Sequence, residues 1–133
     1  MSHPNHQVAR KFFDALFAGD IRDELLAPGM TAWTTLGPVE KADYQGGVKT
    51  LVSLFIGGFN YTIDSLTAEE DRVAAEIRSK GTFADGDTYE NVYVFLLRVR
   101  DGRVASVAEH FNPDPVVKKI LPRMQAAMAK TSG

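Results

Sequence analysis

The chain has 133 residues, enough for one domain with a real core, and no second unit is expected within 1–133. Hydrophobic residues make up 44% and charged residues 24%, and the formal charge of −2 gives no electrostatic footprint for nucleic acid or an anionic membrane. Cysteine is absent, which excludes disulfides, thiol catalysis and cysteine-bound metal and suits a reducing compartment.

The first residues, from Met1 to Gln7, show no basic stretch followed by an apolar run. No apolar run approaches the roughly 18 residues that span a bilayer. A cytoplasmic protein without a membrane partner is therefore expected.

Val8, Phe12, Phe13, Leu16 and Phe17 recur at helical spacing, which predicts an amphipathic helix over 5–18. Gly19 is its natural stop. Asp20 can cap a short second helix over 21–26, broken by Pro28-Gly29. A strand is expected over 30–36, ended by Gly37-Pro38. Gly46-Gly47 precedes a helix with Val48, Leu51, Val52 and Phe55 on one face, closed by Gly57-Gly58.

Phe59, Tyr61 and Ile63 then alternate with polar residues, as in a half-buried strand. Another strand is expected over 72–83. Asp85-Gly86 and Asp101-Gly102 mark turns, the second a strong hairpin signal. After Pro113, Asp114 can cap a last helix, with Pro115 at its first position and Pro122 as a kink. That helix and its tail occupy about 118–133. Helices first and a run of mostly antiparallel strands afterwards make an α+β chain.

The segment 89–97 is apolar on both faces. Tyr89, Asn91, Tyr93, Phe95 and Leu97 lie on one side; Val92, Val94 and Leu96 lie on the other. Such a sheet needs cover on both sides. Helices cover one, and a second copy of the chain is the economical cover for the other, so a homodimer is expected. A C-terminal helix folded over that face is the alternative.

Four pieces of the chain carry a family resemblance. They are Ala15-Leu16-Phe17-Ala18-Gly19-Asp20, Trp33 followed by Gly37, Tyr44-Gln45-Gly46-Gly47-Val48, and the end from Tyr89-x-Asn91-x-Tyr93 through Asp101-Gly102 to Glu109-His110-Phe111-Asn112-Pro113. In this order the chain resembles the nuclear transport factor 2-like superfamily, and within it the SnoaL-like group. That superfamily includes ketosteroid isomerases, limonene epoxide hydrolases and polyketide cyclases. The resemblance implies a cone-shaped α+β barrel. N-terminal helices pack in a curved, mostly antiparallel mixed sheet, and an apolar pocket sits at the open end.

The resemblance also sorts the chemistry. The isomerase tyrosine, base and second acid fall on Phe12, Thr34 and Phe95, which leaves steroid isomerisation without its hydrogen-bond donors and its base. The carboxylate–guanidinium set of the epoxide hydrolases falls on Glu76, Arg78 and Glu109, with the first two exchanged in order. Arg78 would hold two carboxyls of separated pKa, one a base and one an acid. The hydrolases' water-positioning pair falls near Trp33 and Thr35. Asn112 stands where SnoaL-like members often carry an aspartate.

The expectation is thus a cofactor-free acid–base enzyme for a small apolar molecule. Its chemistry would be epoxide hydrolysis, isomerisation, cyclisation or elimination. Glu109, Glu76 and Arg78 are the catalytic candidates. Trp33, Phe55, Tyr89, Asn91, Tyr93 and Phe111 are the substrate-binding ones. A different parity follows from the residues alone: Val73, Ala75 and Ile77 alternate with Glu76 and Arg78 and would turn the charges to water. His110 falls on the face opposite Glu109, which suits a subunit contact. A non-catalytic binding or dimerisation module is the competing reading. No cofactor, and no metal at His3 and His6, is expected.

Overall fold

The computed structural model describes residues 3–132. Helix α1 (Pro4–Ala18) begins where His3 Nδ1 accepts the Asn5 N–H, and ends at Gly19 with φ of 73°. A 3-10 turn (Asp23–Leu25) leads into β1 (Leu26–Thr34) and β2 (Gly37–Val39). Then come α2 (Lys41–Ser53), β3 (Phe55–Glu69), β4 (Arg72–Phe83), β5 (Thr88–Arg100) and β6 (Arg103–Phe111). The end is helical throughout: α3 (Pro113–Pro115), a π turn (Val116–Ile120) and α4 (Leu121–Ser132).

The six strands form one curved mixed sheet in the order β2-β1-β6-β5-β4-β3. Only β1 and β6 pair in parallel among these neighbours; the other pairs are antiparallel. The inner face carries Val73, Ala75 and Ile77 of β4 and Tyr89, Tyr93, Phe95 and Leu97 of β5, all buried. Helix α1 lies in the curve and meets them with Phe12, Phe13, Leu16 and Phe17; the Phe13 and Phe95 rings sit 5.0 Å apart. This is the expected α+β architecture.

Several element expectations need correction. No α-helix starts at Asp20. Its carboxylate pairs with Arg22 instead, and the chain is already extended at Leu26. Pro28-Gly29 lies inside β1, where Gly29 takes φ of 74° and the register against β6 shifts. A bulge admits both residues, since Pro28 has no ladder hydrogen bond to lose there. The strand expected over 30–36 is β1, which stops at Thr34, and Gly37-Pro38 begins β2. Gly57 and Gly58 do not close a helix: they form a positive-φ bulge within β3, between the paired Ile56 and Asn60. Helix α2 begins before the glycine pair, not after it, and Phe55 belongs to β3.

Asn112, rather than Asp114, caps the last helical segment by accepting the Asp114 N–H. Pro122 does not end it. The π turn just before it loosens the helical hydrogen bonding where proline contributes no N–H. Among the described residues, no helix is long and apolar enough to cross a membrane.

Candidate active site

Three elements converge at the open end of the curve. Helix α2 presents Tyr44, Val48 and Leu51 at helical spacing, all toward the sheet. Strand β6 presents Glu109 inward, between outward-facing Ala108 and His110. The C-terminal helical segment places Val116, Ile120, Leu121 and Met124 over the opening. That segment is fastened to the β4–β5 turn. Arg123 reaches Asp85 at 2.8 Å and lies 3.9 Å over the Phe83 ring, and Lys119 bonds Asp87 and the Thr88 carbonyl.

Tyr44 Oη donates a 2.8 Å hydrogen bond to Glu109 Oε1. Tyr44 is 5% exposed. Glu109 keeps some surface on the cavity, but protein atoms crowd its carboxyl. Burial pushes its pKa up to about 7, and the Tyr44 hydrogen bond opposes that rise. Burial, with Glu109 beside it, drives the Tyr44 phenol well above its ordinary value, so it stays a neutral donor.

Glu109 stands between two chambers. The outer one, of about 170 Å³, is walled by α2 and the C-terminal segment. The inner one, of about 70 Å³, is walled by Phe17, Phe59, Tyr89, Tyr93 and Phe111. Val48, Leu51, Glu109, Phe111 and Val116 belong to both walls. A carboxyl titrating near neutrality in an apolar cleft can both take and return a proton.

Behind the inner chamber runs a polar chain. Asn91 Nδ2 donates to Tyr89 Oη at 2.8 Å, Tyr89 and Tyr93 hydroxyls lie 3.4 Å apart, and Tyr93 meets Ser79 Oγ at 2.7 Å.

The SnoaL-like domain model matches residues 9–107, most of the chain. The chain belongs to the SnoaL-like family. The match covers α1 to β6 and stops two residues short of Glu109. No curated protein matches the chain. Solved structures share the fold. AclR of Streptomyces galilaeus is 22% identical, with a TM-score of 0.73, over 85% of this chain and 92% of that one. An NTF2-like protein of Anabaena variabilis is 24% identical, with a TM-score of 0.72, over 86% and 96%. Wild-type IdmH of Streptomyces antibioticus is 21% identical, with a TM-score of 0.71, over 90% and 99%. The nuclear transport factor 2-like cone is therefore the fold of this SnoaL-like chain.

The structure does not bring the three catalytic candidates together. Glu76 and Arg78 lie on the outer face of β4, while Glu109 lies inside. Arg78 makes a two-pronged ion pair with Asp64, at 2.7 and 2.8 Å. The pair holds the Asp64 carboxyl below its usual range. The reason is the parity of β4: Val73, Ala75, Ile77 and Ser79 are buried, so the residues between them face out. The two-residue alternation was the sounder guide for Glu76 and Arg78; of the positions carried over from the epoxide hydrolases, only Glu109 lines the interior chambers.

The binding candidates divide. Tyr89, Tyr93 and Phe111 line the inner chamber. Trp33 does not; it is 41% exposed on the outer face, its ring 5.0 Å from that of His110. Phe55 is core rather than pocket wall, stacked on Phe59 at 4.4 Å and Phe83 at 4.9 Å. Asn91 is spent on the fold. Its Oδ1 accepts the Val92 and Asn112 N–H groups, and its Nδ2 serves Tyr89 and the Asn112 carbonyl. Thr35 is likewise spent, exchanging hydrogen bonds with the backbone of Phe111. Among the described residues no group of three or more His, Cys, Asp or Glu is placed to hold a metal ion.

Tyr44 is the functional residue that sequence reasoning missed. It was visible as part of a motif, but starting α2 after Gly46-Gly47 left it outside the helix. Continuing the inward stripe back one turn from Val48 reaches Tyr44 directly.

Proposed function

We propose that this SnoaL-like chain is an acid–base enzyme for a small, largely apolar molecule, with Glu109 as the group that takes and returns a proton. The observation that carries the reading is the Tyr44–Glu109 hydrogen bond at the junction of two apolar chambers. Tyr44 fixes one carboxylate oxygen and leaves the other for the substrate. Proton transfer of this kind is chemistry that side chains supply by themselves.

The geometry narrows the reaction class. Epoxide opening calls for a base on water and an acid on the leaving oxygen. With Glu76 and Arg78 outside, the arginine-bridged carboxyls of that scheme are not assembled at Glu109, although Asp43 also lines the outer chamber. Isomerisation, cyclisation and elimination each need one residue to move a proton between two atoms of the same molecule, and Glu109 suits them better. A non-catalytic ligand-binding module is the second reading, favoured by Asn91 and Thr35 being committed to the backbone.

The test is exchange of the α-protons of cyclohexanone in D₂O, followed by NMR. Exchange above the buffer rate that disappears in Glu109→Gln supports the enzyme. Exchange at the buffer rate across a panel of enolisable ketones leaves the binding module.

We also propose that the outer face of the sheet pairs with a second copy of the chain. Val92, Val94 and Leu96 are 58%, 43% and 47% exposed in a row along β5. Ala74, Ala108 and Trp33 extend this row at the Leu96 end, while Arg78, Glu76 and His110 flank Val92 and Val94, so an apolar strip with a charged border is left of the kind that a second copy can cover.

A further inference from the structure

The two chambers differ in more than size. The inner one is blind. Leu16, Phe17, Phe59, Tyr89 and Tyr93 close its far side, and all are buried, Tyr93 being the most exposed at 9%. The rings brace one another: Phe17 and Phe59 lie 5.2 Å apart, and Phe59 and Tyr89 5.9 Å. Phe59 is stacked in turn on Phe55, so the end wall has little room to yield. The outer chamber opens to solvent, because its wall includes the exposed Leu36 and Asp43. A molecule therefore enters past these two, crosses the waist formed by Val48, Leu51, Glu109, Phe111 and Val116, and stops at the rings.

The volumes decide what fits on each side. A dry apolar cavity of about 150 Å³ takes one benzene, roughly 25 Å³ for each carbon. The outer chamber, about 170 Å³, holds a six-membered ring. The inner chamber, about 70 Å³, is too small for a ring and holds about three carbons of a chain. Tyr89 and Tyr93 spend their hydroxyls on the polar chain behind the wall, so the end that enters this chamber is apolar. Glu109 stands where ring and chain meet.

We infer that the substrate is a single six-membered ring bearing an unbranched apolar chain of about three carbons. The ring occupies the outer chamber and the chain the inner one, and the proton is moved at the carbon that joins them. This rests on the reading of Glu109 as the proton-transfer group and deepens it by naming the substrate class. The C–H bond at that carbon breaks, the proton passes to the Glu109 carboxylate, and the electron pair moves into an adjacent carbonyl as an enolate. Return of the proton from Glu109 restores the carboxylate.

The first test uses alkylbenzenes, which carry no acidic proton and report on shape alone. The whole protein is titrated with toluene, ethylbenzene, propylbenzene, butylbenzene and pentylbenzene and followed by NMR. Affinity is expected to rise about fourfold for each methylene as far as propylbenzene, the worth of one buried CH₂. The rise stops there, and the two longer chains bind no tighter. Phe59→Leu shortens the end wall and is expected to carry the rise on to butylbenzene. In the unsubstituted protein, nuclear Overhauser contacts should join the terminal methyl of propylbenzene to the Phe59 and Tyr89 rings, and its phenyl protons to the Met124 methyl. These contacts decide alone if Phe59→Leu does not fold. A rise that continues through pentylbenzene, a flat series, a break that folded Phe59→Leu does not move, the reverse set of contacts, or binding of none of the five overturns the proposal.

The second test separates shape from chemistry. In 2-propylcyclohexanone, C2 joins ring and chain, and C6 is the other α-carbon. Exchange in D₂O that depends on Glu109 is expected at C2, about tenfold or more faster than at C6, because only C2 sits at the carboxylate. Equal exchange at the two carbons, or exchange favouring C6, overturns the assignment of the reacting carbon. Glu109→Gln removes the exchange and keeps the alkylbenzene series. A series that breaks at propylbenzene without exchange at either carbon overturns the proton-transfer reading and leaves the fit of ring and chain standing.

Discussion

Tyr44 on α2 and Glu109 on β6 are joined by a 2.8 Å hydrogen bond across 65 residues of sequence. The bond gives the carboxyl a fixed direction in a cleft where little else is polar. Replacing Glu109 by Gln keeps an oxygen for Tyr44 and removes the titrating group. Turnover is expected to fall about 10² to 10⁴-fold, the usual worth of a positioned acid–base group. Steady-state kinetics on the first active ketone checks this, and unchanged kcat/KM rejects the assignment.

The pH profile follows from the same pair. A base must be ionised, so kcat/KM is expected to rise with pH through about 7, the pKa of Glu109. A profile that falls through that value makes Glu109 an acid instead. Tyr44→Phe removes a hydrogen bond that favours the carboxylate, so the midpoint should move up by roughly 1 to 2 pH units.

Stability carries the opposite signature. The folded pKa of Glu109 lies above its ordinary 4.5, so between these values the folded chain holds more proton than the unfolded one. The contribution is fully present below pH 4.5 and is lost as pH rises through about 7. The loss amounts to about 3 kcal/mol at most. Urea unfolding of Glu109→Gln across this window should show a gain that grows with pH and levels off above 7. A gain that does not depend on pH would mean the carboxyl is not desolvated.

Gly81 is required by Phe55. A Cβ at position 81 would stand 2.5 Å from Phe55 Cδ1. The ring is sandwiched between Phe59 and Phe83 and cannot step aside cheaply. Gly81→Ala is expected to cost roughly 1–3 kcal/mol, as overpacking does. Equilibrium unfolding measures it; a neutral result would mean the aromatic stack is loose.

The outer face is tested at Leu96, which lies opposite Ala74 and Ala108 with no charge directly across the sheet. Leu96→Glu is expected to leave the fold intact and convert a dimer to a monomer in analytical ultracentrifugation at micromolar concentration. A parent chain that already sediments as a monomer rejects the proposed contact.

Much of the fold was legible because alternation and helical spacing are local. β4 was bounded correctly by its own pattern of Val73, Ala75 and Ile77. The hairpin at Asp101-Gly102 follows from two positive φ angles, 53° and 75°, that few residue pairs accept. Glycine misled where it has two uses. Gly57 and Gly58 bulge a strand although they looked like a helix stop, and Gly46 and Gly47 sit inside a helix although they looked like the residues before one. The candidate site was legible at Glu109 only through the family resemblance, which carried over a carboxyl position on the last strand; its sequence neighbours Ala108 and His110 do not single it out. Tyr44 was not, because the partner that gives it meaning lies on another element. Trp33 and Phe55 failed as pocket residues because aromatic character alone does not say which side of a sheet a ring occupies.

Asn91 and Thr35 are bonded to the backbone, and they hold both ends of one alignment. Thr35 ties β1 to Phe111, and Asn91 ties β5 to Asn112, on either side of the same stretch of β6. Glu109 and His110 are adjacent there and point to opposite faces. A one-residue slip of β6 would put an imidazole in the cavity and a carboxylate on the apolar outer face. These two modest side chains therefore decide which of the neighbouring titratable groups the interior receives.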